Sequence, residues 1–256
     1  MNIAQSETVG VVIPTYNRAI ITLRAVNSVL NQSSPPSSVI VVDDGSDEEE
    51  FLKLESSLRD LRVSIIRSTH KSNPAIMRNL GIAQLETKWV AFLDSDDLWF
   101  ENKLEIQIAL AIKTGSKAIC SNAIRLSTNE KYLHKNQSRV LKLKELLKSN
   151  QIINSSVLID REVLVKVGGY VSNYNVRSVE DYATWLRIAT LTNWNYCDDS
   201  LVTYDDTSVD GLSNIAKMSE TDISTHALVD FYNWKNCNQK MKRRIINYAF
   251  RTLAKL

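Results

Sequence analysis

The sequence lacks the features that mark several large classes of protein. Its three cysteines, Cys120, Cys197 and Cys237, are too few and too far apart for a disulfide framework, and they are typical of reduced thiols. No window approaches the ~20 apolar residues that span a bilayer, and residues 1–8 lack the apolar core of a signal peptide. We therefore expect a cytoplasmic protein; peripheral contact with the inner face of the membrane stays open.

Several nucleotide-binding and catalytic motifs are also absent. The sequence contains no G-x-x-x-x-G-K-[ST], G-x-G-x-x-G, G-x-S-x-G or H-E-x-x-H pattern. Its three histidines, His70, His134 and His226, have no metal-ligand spacing, and we expect them at the surface. A nucleotide site would therefore have to be built from carboxylates, an arginine and a metal.

Composition indicates an ordinary globular protein. Of the 256 residues, 44% are hydrophobic and 23% are charged, which suits one large α/β domain. The formal net charge of +2 gives the whole molecule no strong electrostatic preference, and we expect no nucleic-acid partner.

Strand and helix patterns alternate through the first 120 residues. Short apolar runs predict strands at 9–13, 39–42, 63–66, 89–93 and 117–120. Helical spacing predicts four helices between these strands. Two lie at 48–61 and 100–113. A third begins after Asn17 as its cap, and a fourth begins after Asn73 as its cap, with Pro74 in its first turn. We expect Pro14 to close the first strand. This order predicts an α/β fold with a Rossmann-like, mostly parallel sheet flanked by helices.

The second half of the chain is less regular. We expect a strand at 152–159 interrupted by Asn154-Ser155-Ser156, helices at 141–148, 161–167 and from Val179, and edge strands at 195–197 and 201–204. Residues 205–214 predict a polar loop and the remainder a helical tail. The predicted division is one domain at 1–215, with halves 9–120 and 121–215, and a C-terminal helical extension at 216–256.

Three successive predicted strands end in polar clusters, at 14–18, 43–46 and 94–97. Parallel strands end at one edge of the sheet, where open α/β sheets bind ligands. The third cluster, Asp94-Ser95-Asp96-Asp97, crowds carboxylates that repel one another unless a cation joins them, and oxygen ligands suit Mg²⁺ or Mn²⁺. The alternative is an acidic turn that caps the next helix.

Three further side chains have two interpretations each. Asp44 is suited to accept hydrogen bonds from a base or ribose, or to form a turn with Gly45 and Ser46. Arg78 is able to reach a diphosphate, or to lie on a solvated helix face. Asp181 is suited to act as a general base, whereas Glu180 and Asp181 together suit a helix start through the dipole.

Five segments resemble, in order, motifs of family-2 glycosyltransferases: residues 11–18 (VVIPTYNR), 42–46 (VDDGS), 78–81 (RNLG), 94–97 (DSDD) and 180–186 (EDYATWL). The resemblance extends from residue 9 to about residue 205. It implies an inverting enzyme of the GT-A fold that transfers a sugar from a nucleotide sugar.

The resemblance also implies roles for individual residues. The donor would contact the residues that match the family's donor-binding motifs: Pro14, Thr15, Tyr16, Arg18, Asp44, Arg78, Asp94 and Ser95. Tyr16 would lie against the base, and Asp44 would bind uracil if the donor is a uridine nucleotide.

The catalytic roles are implied in the same way. Asp96, with Asp94 nearer the ribose, would bind Mn²⁺ or Mg²⁺ as the DxD motif. Asp181 would be the general base, Glu180 would help hold the acceptor, and Trp185 would pack in the core. The expected acceptor is a saccharide or lipid-linked saccharide in surface polysaccharide synthesis.

Some parts of the chain depart from this pattern. Residues 205–210 contain neither the histidine nor the arginine that the family often uses near the diphosphate, although the loop 205–214 is a candidate lid over the donor. Residues 121–150 match nothing recognisable. The basic and apolar tail 240–256 predicts either a helix on an anionic membrane or a helix docked on the domain.

Two rival functions stay open at this point. A sugar nucleotidyltransferase would share the α/β fold and metal-binding carboxylates, but it would be expected to have a glycine-rich, basic N-terminal loop, which residues 11–18 lack. A catalytically silent nucleotide-sugar-binding module would share the binding residues without the base.

Overall fold

The computed structural model describes residues 7–59, 61–69, 73–134, 137–207 and 220–237. The strands are β1 (Val9–Thr15), β2 (Ser38–Asp43), β3 (Ser64–Arg67), β4 (Trp89–Phe92), β5 (Leu98–Trp99), β6 (Ala118–Arg125), β7 (Arg139–Leu141), β8 (Leu158–Asp160) and β9 (Trp194–Tyr204). The helices are α1 (Ala19–Leu30), α2 (Glu48–Leu58), α3 (Pro74–Gln84), α4 (Lys103–Thr114), α5 (Leu143–Leu146), α6 (Arg161–Val167), α7 (Glu180–Ile188) and α8 (Glu220–Asn236).

The strands form one sheet in the order β3-β2-β1-β4-β8-β6-β9-β5, and β7 pairs with β9. The first four are parallel, β8 is antiparallel to both its neighbours, and β6 pairs with β9 in parallel. The predicted α/β fold with a mostly parallel sheet is therefore confirmed.

Helices cover both faces of the sheet, because the central strands are apolar on both sides. In β1, Val11 and Ile13 face a core that contains residues of α1, α2 and α4. Val12 faces the opposite core, formed with residues of α3, α6, α7 and α8. Continuous runs of branched apolar residues, which the sequence shows at 39–42, are the expected signature of such strands.

β1 continues two residues beyond its predicted end. Its pairing with β4 stops at Val12, opposite Phe92, whereas its pairing with β2 continues to Thr15, opposite Asp43. Pro14 therefore lies where the β4 side no longer pairs, and its missing N–H does not interrupt a central ladder.

Asn17 does not cap α1 as predicted. Its backbone is left-handed (φ 49°), and Arg18 takes the N-cap position without a side-chain hydrogen bond to the first turn of α1. Asn17 Oδ1 accepts from the Asp47 N–H at 2.8 Å, and Ser46 Oγ accepts from the Asn17 N–H at 2.8 Å. The turn after β1 is thereby tied to the turn after β2. Asn73, in contrast, caps α3 as predicted, since its side chain accepts from the Ala75 N–H.

The two predicted edge strands at 195–197 and 201–204 are one strand, β9, which pairs with β5, β6 and β7. Ser121 pairs with Cys197 and Asn122 with Ser200, so Asp198 and Asp199 form a bulge. The bulge breaks the apolar pattern, which explains why the sequence reads as two segments.

The described part of the predicted C-terminal extension packs on the domain. Ala227, Phe231 and Trp234 of α8 are buried in the same core as α7, and Arg187 pairs with Asp230 at 2.7 Å. Among the described helices, none is both long and apolar enough to cross a membrane. The basic tail 240–256 lies outside the described residues.

α3 approaches β1 closely at Gly81. A Cβ atom added there would overlap the Val12 side chain, which is fully buried and β-branched. This contact sets the distance between α3 and the sheet. Because α3 also carries Arg78, the same contact positions that side chain.

We expect Gly81→Ala to lower the free energy of unfolding by roughly 1–2 kcal/mol, because overpacking outweighs the gain in helix propensity. Urea unfolding measures the change. Val12→Ala in the Gly81→Ala background should restore part of the loss; simple addition of the two losses would contradict the close contact.

Candidate active site

Three predicted site segments lie at the same edge of the sheet. β1 ends at Thr15, β2 ends at Asp43, and β4 ends two residues before Asp94. Because these strands are parallel neighbours, their ends meet, as the sequence predicts. α3 and α7 bring Arg78 and Glu180 to the same place.

Arg78 joins the two halves of the candidate site. Its Nη2 donates to Asp94 Oδ1 at 2.6 Å, and its Nη1 donates to Glu180 Oε1 at 2.9 Å. The side chain is only 5% exposed. Burial alone would lower the pKa of the Arg78 guanidinium, but the charge of Asp94, followed by Tyr170 and Glu180, outweighs it and raises the pKa above its usual value. Arg78 is therefore not on a solvated helix face; its contact with a donor stays a prediction.

Asp94 has further partners that the sequence did not identify. Asn154 Nδ2 donates to Asp94 Oδ1 at 2.9 Å, and the Tyr170 hydroxyl donates to Asn154 Oδ1 at 2.6 Å. Asn79 holds Tyr170 in place by exchanging two hydrogen bonds with its backbone. The interruption of the predicted strand at Asn154 was the one sequence signal of this role.

Asp97 does not cap α4; its carboxylate accepts hydrogen bonds from two distant parts of the chain, at Ser155 and Asp205. It is buried; Ser155 Oγ donates to its Oδ2, and the Asp205 N–H donates to its Oδ1 at 2.8 Å. Burial, with the charges of Asp94 and Asp96, raises the pKa of Asp97 well above its usual value. The N-cap position of α4 is instead Asn102.

Asp96 is partly exposed and pairs with Arg18. The distance from Arg18 Nη1 to Asp96 Oδ2 is 2.8 Å, and the two side chains are 22% and 19% exposed. Burial and the Asp94 charge raise the pKa of Asp96, while Arg18 opposes them.

Asp181 is half-buried in the first turn of α7, and the Tyr182 N–H donates to its Oδ1 at 2.6 Å. Burial and the adjacent Glu180 charge raise the pKa of Asp181 to about 7. Glu180 is 8% exposed; Arg78 holds its Oε1, whereas its Oε2 is buried without a hydrogen-bond partner among the described residues. Trp185, as predicted, is a core residue.

The predicted donor pocket lies at the ends of β1 and β2. The turn that we considered for Asp44 is made by Asp43, whose carboxylate accepts from the Ser46 N–H at 3.0 Å. Asp44 itself is buried, and its N–H donates to Thr15 O at 2.9 Å. Tyr16, at 41% exposure, offers an accessible ring beside this pocket.

The remaining predicted contacts differ in exposure. Pro14 is half-buried, and Thr15 is buried with its hydroxyl 2.6 Å from that of Thr22. Ser95 is buried between Asp94 and Asp96. The side chain of Thr15 is thus already paired within the protein.

Within the described residues, no three His, Cys, Asp or Glu side chains are grouped to bind a metal by themselves. Asp94 and Asp96 still fit Mn²⁺ or Mg²⁺, because Mg²⁺ typically takes one or two carboxylates and completes its shell with water and substrate phosphates. The observation that favours a cation here is that the carboxylates of both residues, two positions apart in one loop, are partly exposed.

The start of the candidate lid loop is anchored. The Asp205 N–H binds Asp97, and Asp206 accepts from Ser127 Oγ at 2.7 Å and from Arg125 at 3.2 Å. Residues 208–214 lie outside the described residues, and the lid stays a prediction.

The comparison with known proteins agrees with this architecture. Residues 10–167, more than half of the chain, match the family described as Glycosyl transferase family 2. This chain belongs to that family.

Curated relatives are glycosyltransferases. An uncharacterized one from Rickettsia bellii is 34% identical over 73% of this chain, which spans only 27% of that protein's length. TuaG of Bacillus subtilis, assigned to teichuronic acid biosynthesis, is 32% identical, with 70% of this chain and 71% of TuaG covered. WfgD of Escherichia coli, named as a UDP-Glc:α-D-GlcNAc-diphosphoundecaprenol β-1,3-glucosyltransferase, is 29% identical over 70% of this chain and 69% of WfgD.

The fold matches that of a solved glycosyltransferase. TarS of S. aureus (residues 1–349), crystallised with UDP-GlcNAc, superposes with a TM-score of 0.72 at 19% identity, covering 93% of this chain and 70% of that one. The sheet and its flanking helices therefore form a GT-A fold.

We expect Arg78→Met to lower the free energy of unfolding by roughly 3 kcal/mol or more, because it leaves the buried Glu180 and the partly buried Asp94 without their shared cation. Thermal and urea unfolding measure the loss. Arg18→Met removes an equal charge from a partly exposed pair and should cost about 1 kcal/mol or less. Equal losses in the two variants would contradict the bridging role of Arg78.

Proposed function

We propose that this protein is an inverting glycosyltransferase that moves a sugar from a UDP-sugar to a hydroxyl of a saccharide or lipid-linked saccharide. One observation carries the proposal: Arg78 binds Asp94 of the acidic loop and Glu180 beside Asp181. A single guanidinium thus links Asp94, one of the proposed donor-binding carboxylates, to Glu180, the neighbour of the proposed base.

Asp181 is the general base of this reaction. Its pKa of about 7 lets it ionise near neutral pH and still accept a proton, which is the balance that general-base catalysis needs. It takes the proton of the acceptor hydroxyl as that oxygen bonds to the anomeric carbon. The bond from this carbon to the diphosphate oxygen breaks at the same time, and attack from the opposite face inverts the configuration.

Glu180 orients the acceptor. Arg78 keeps its Oε1 in place, and the unpartnered Oε2 is suited to accept a hydrogen bond from a second acceptor hydroxyl. A buried acceptor oxygen without a partner is costly, so a hydroxyl that satisfies it gains affinity.

The donor lies along the ends of β1, β2 and β4 in this proposal. Tyr16 stacks on the base, Asp44 accepts from uracil, and Asp94 with Asp96 holds Mn²⁺ or Mg²⁺. The metal supplies positive charge that stabilises the departing nucleoside diphosphate. The TarS complex with UDP-GlcNAc and the UDP-Glc donor in the name of WfgD support a uridine nucleotide.

The name of WfgD also supports a polyprenol-diphosphate-linked acceptor, and that of TuaG supports a role in surface polysaccharide synthesis. A cytoplasmic enzyme with peripheral membrane contact would meet such an acceptor at the inner leaflet.

We expect Asp181→Asn to reduce sugar transfer by about 10²–10⁴-fold and to leave UDP binding within about twofold, because only proton transfer is removed. Transfer is measured with a panel of UDP-sugars, and UDP binding by calorimetry. Asp199→Asn, at the exposed β9 bulge, is the matched control and should transfer normally. Unchanged transfer by Asp181→Asn would refute the base; no transfer by the wild type with any donor would favour a silent binding module.

The pH dependence of kcat/KM should rise with pH and level off above about pH 7. Because the pKa of Asp181 is raised to about 7, the carboxyl is protonated and inactive below that pH and ionised above it. Below the bend, kcat/KM should fall about tenfold per pH unit. A profile that stays flat down to about pH 5, with UDP binding unchanged, would contradict the assignment.

A further inference from the structure

The acidic loop has two arginine–carboxylate pairs of different character. Arg78 is 5% exposed and is shared between two carboxylates. Arg18 is 22% exposed, and its one ion pair among the described residues is with Asp96. A buried, doubly bound arginine is fixed, whereas a partly exposed single pair contributes little and exchanges readily. The two pairs therefore suit different tasks.

We propose that Arg18 is an exchangeable counter-ion that couples metal binding to donor binding: it pairs with Asp96 in the free protein and passes to the donor's diphosphate when the metal binds Asp96. This inference rests on the proposed function, since it assumes a metal at Asp96 and a diphosphate donor. It assigns Arg18 a positioning role beyond that of a simple donor contact.

Hydrogen bonds hold the backbone on either side of Arg18, while its side chain is able to move. Asn17 is tied to Ser46 and Asp47 by three hydrogen bonds, and the Ala19 N–H donates to Glu50 at 3.1 Å. Of the residues on either side of Arg18, Asn17 is thus anchored to the turn after β2 and Ala19 to the first turn of α2. The guanidinium is able to change partner by rotation about side-chain bonds, with no backbone movement.

The charges of the metal and of the donor explain why Arg18 would move from Asp96 to the diphosphate. With a divalent cation bound, Asp96 would pair with that cation instead of Arg18, and the guanidinium would be repelled from its present position. The diphosphate that arrives with the cation brings two negative charges and oxygen atoms that match the fork of a guanidinium. A metal that binds alone offers Arg18 no new partner, so metal and UDP should bind cooperatively, each strengthening the other by the same factor.

The test is a titration of Mn²⁺ alone and of Mn²⁺ with saturating UDP, followed by electron paramagnetic resonance of free Mn²⁺. Wild type should bind Mn²⁺ more tightly with UDP than without it. Arg18→Gln should bind Mn²⁺ alone about two- to fivefold more tightly, the change expected on losing a partly exposed competing pair, and should lose most of the cooperativity. Arg18→Lys should fall between the two.

Two controls make the result specific. Arg24→Gln removes a charge from an exposed position on the same helix and should leave both titrations unchanged. Asp96→Asn should weaken Mn²⁺ binding in every background. Unfolding curves establish that each variant is folded.

The outcomes separate this inference from the proposed function. If Arg18→Gln weakens Mn²⁺ binding or leaves the cooperativity intact, the exchange is wrong, while a loss of Mn²⁺ binding in Asp96→Asn would still support the metal site. If Asp96→Asn binds Mn²⁺ as wild type does, the metal assignment fails and the counter-ion role of Arg18 falls with it.

Discussion

The arrangement of the candidate site depends on burying one guanidinium between two carboxylates from distant parts of the chain. Arg78 contacts Asp94, which follows β4, and Glu180, which begins α7. Taking Arg78 and Glu180 out of water is costly, and each of these two charges is tolerable only with its partner present; Asp94, which is 29% exposed, adds a second partner for Arg78. The acidic loop and the helix that carries Asp181 therefore cannot shift independently. The buried contact of Gly81 in α3 with Val12 in β1 sets the distance of α3, and so of the Arg78 guanidinium, from the sheet.

The sequence predicts this edge of the sheet well because the signals there are local. Branched apolar runs identify the parallel strands, and polar residues immediately after them identify the edge where a ligand binds. Asn73 and Pro74 identify the start of α3 through side-chain chemistry that needs no tertiary contact. The match of residues 10–167 to the family described as Glycosyl transferase family 2 covers these segments.

What the sequence does not predict is which side chain pairs with which. Asp43 and Asp44 are chemically identical neighbours, yet the Asp43 carboxylate makes the turn with Ser46, whereas Asp44 donates its backbone N–H to Thr15 O. Asp97 accepts its hydrogen bonds from residues 58 and 108 positions away. The sequence predicts two short strands in place of β9, because a bulge interrupts the alternation of apolar and polar residues. These outcomes are set by tertiary packing, for which a local pattern carries no information.

The packing of α8 on α7 has a consequence for how such proteins diverge. Phe231 and Trp234 share a buried core with α7, whose first turn carries the proposed base, and Asp230 neutralises Arg187 on the same helix. A recombination that exchanged the segment after residue 215 between relatives would replace the support of the helix that bears Asp181. The C-terminal segment and the helix of the proposed base are therefore expected to be inherited as a unit, even though only one of them would touch substrate.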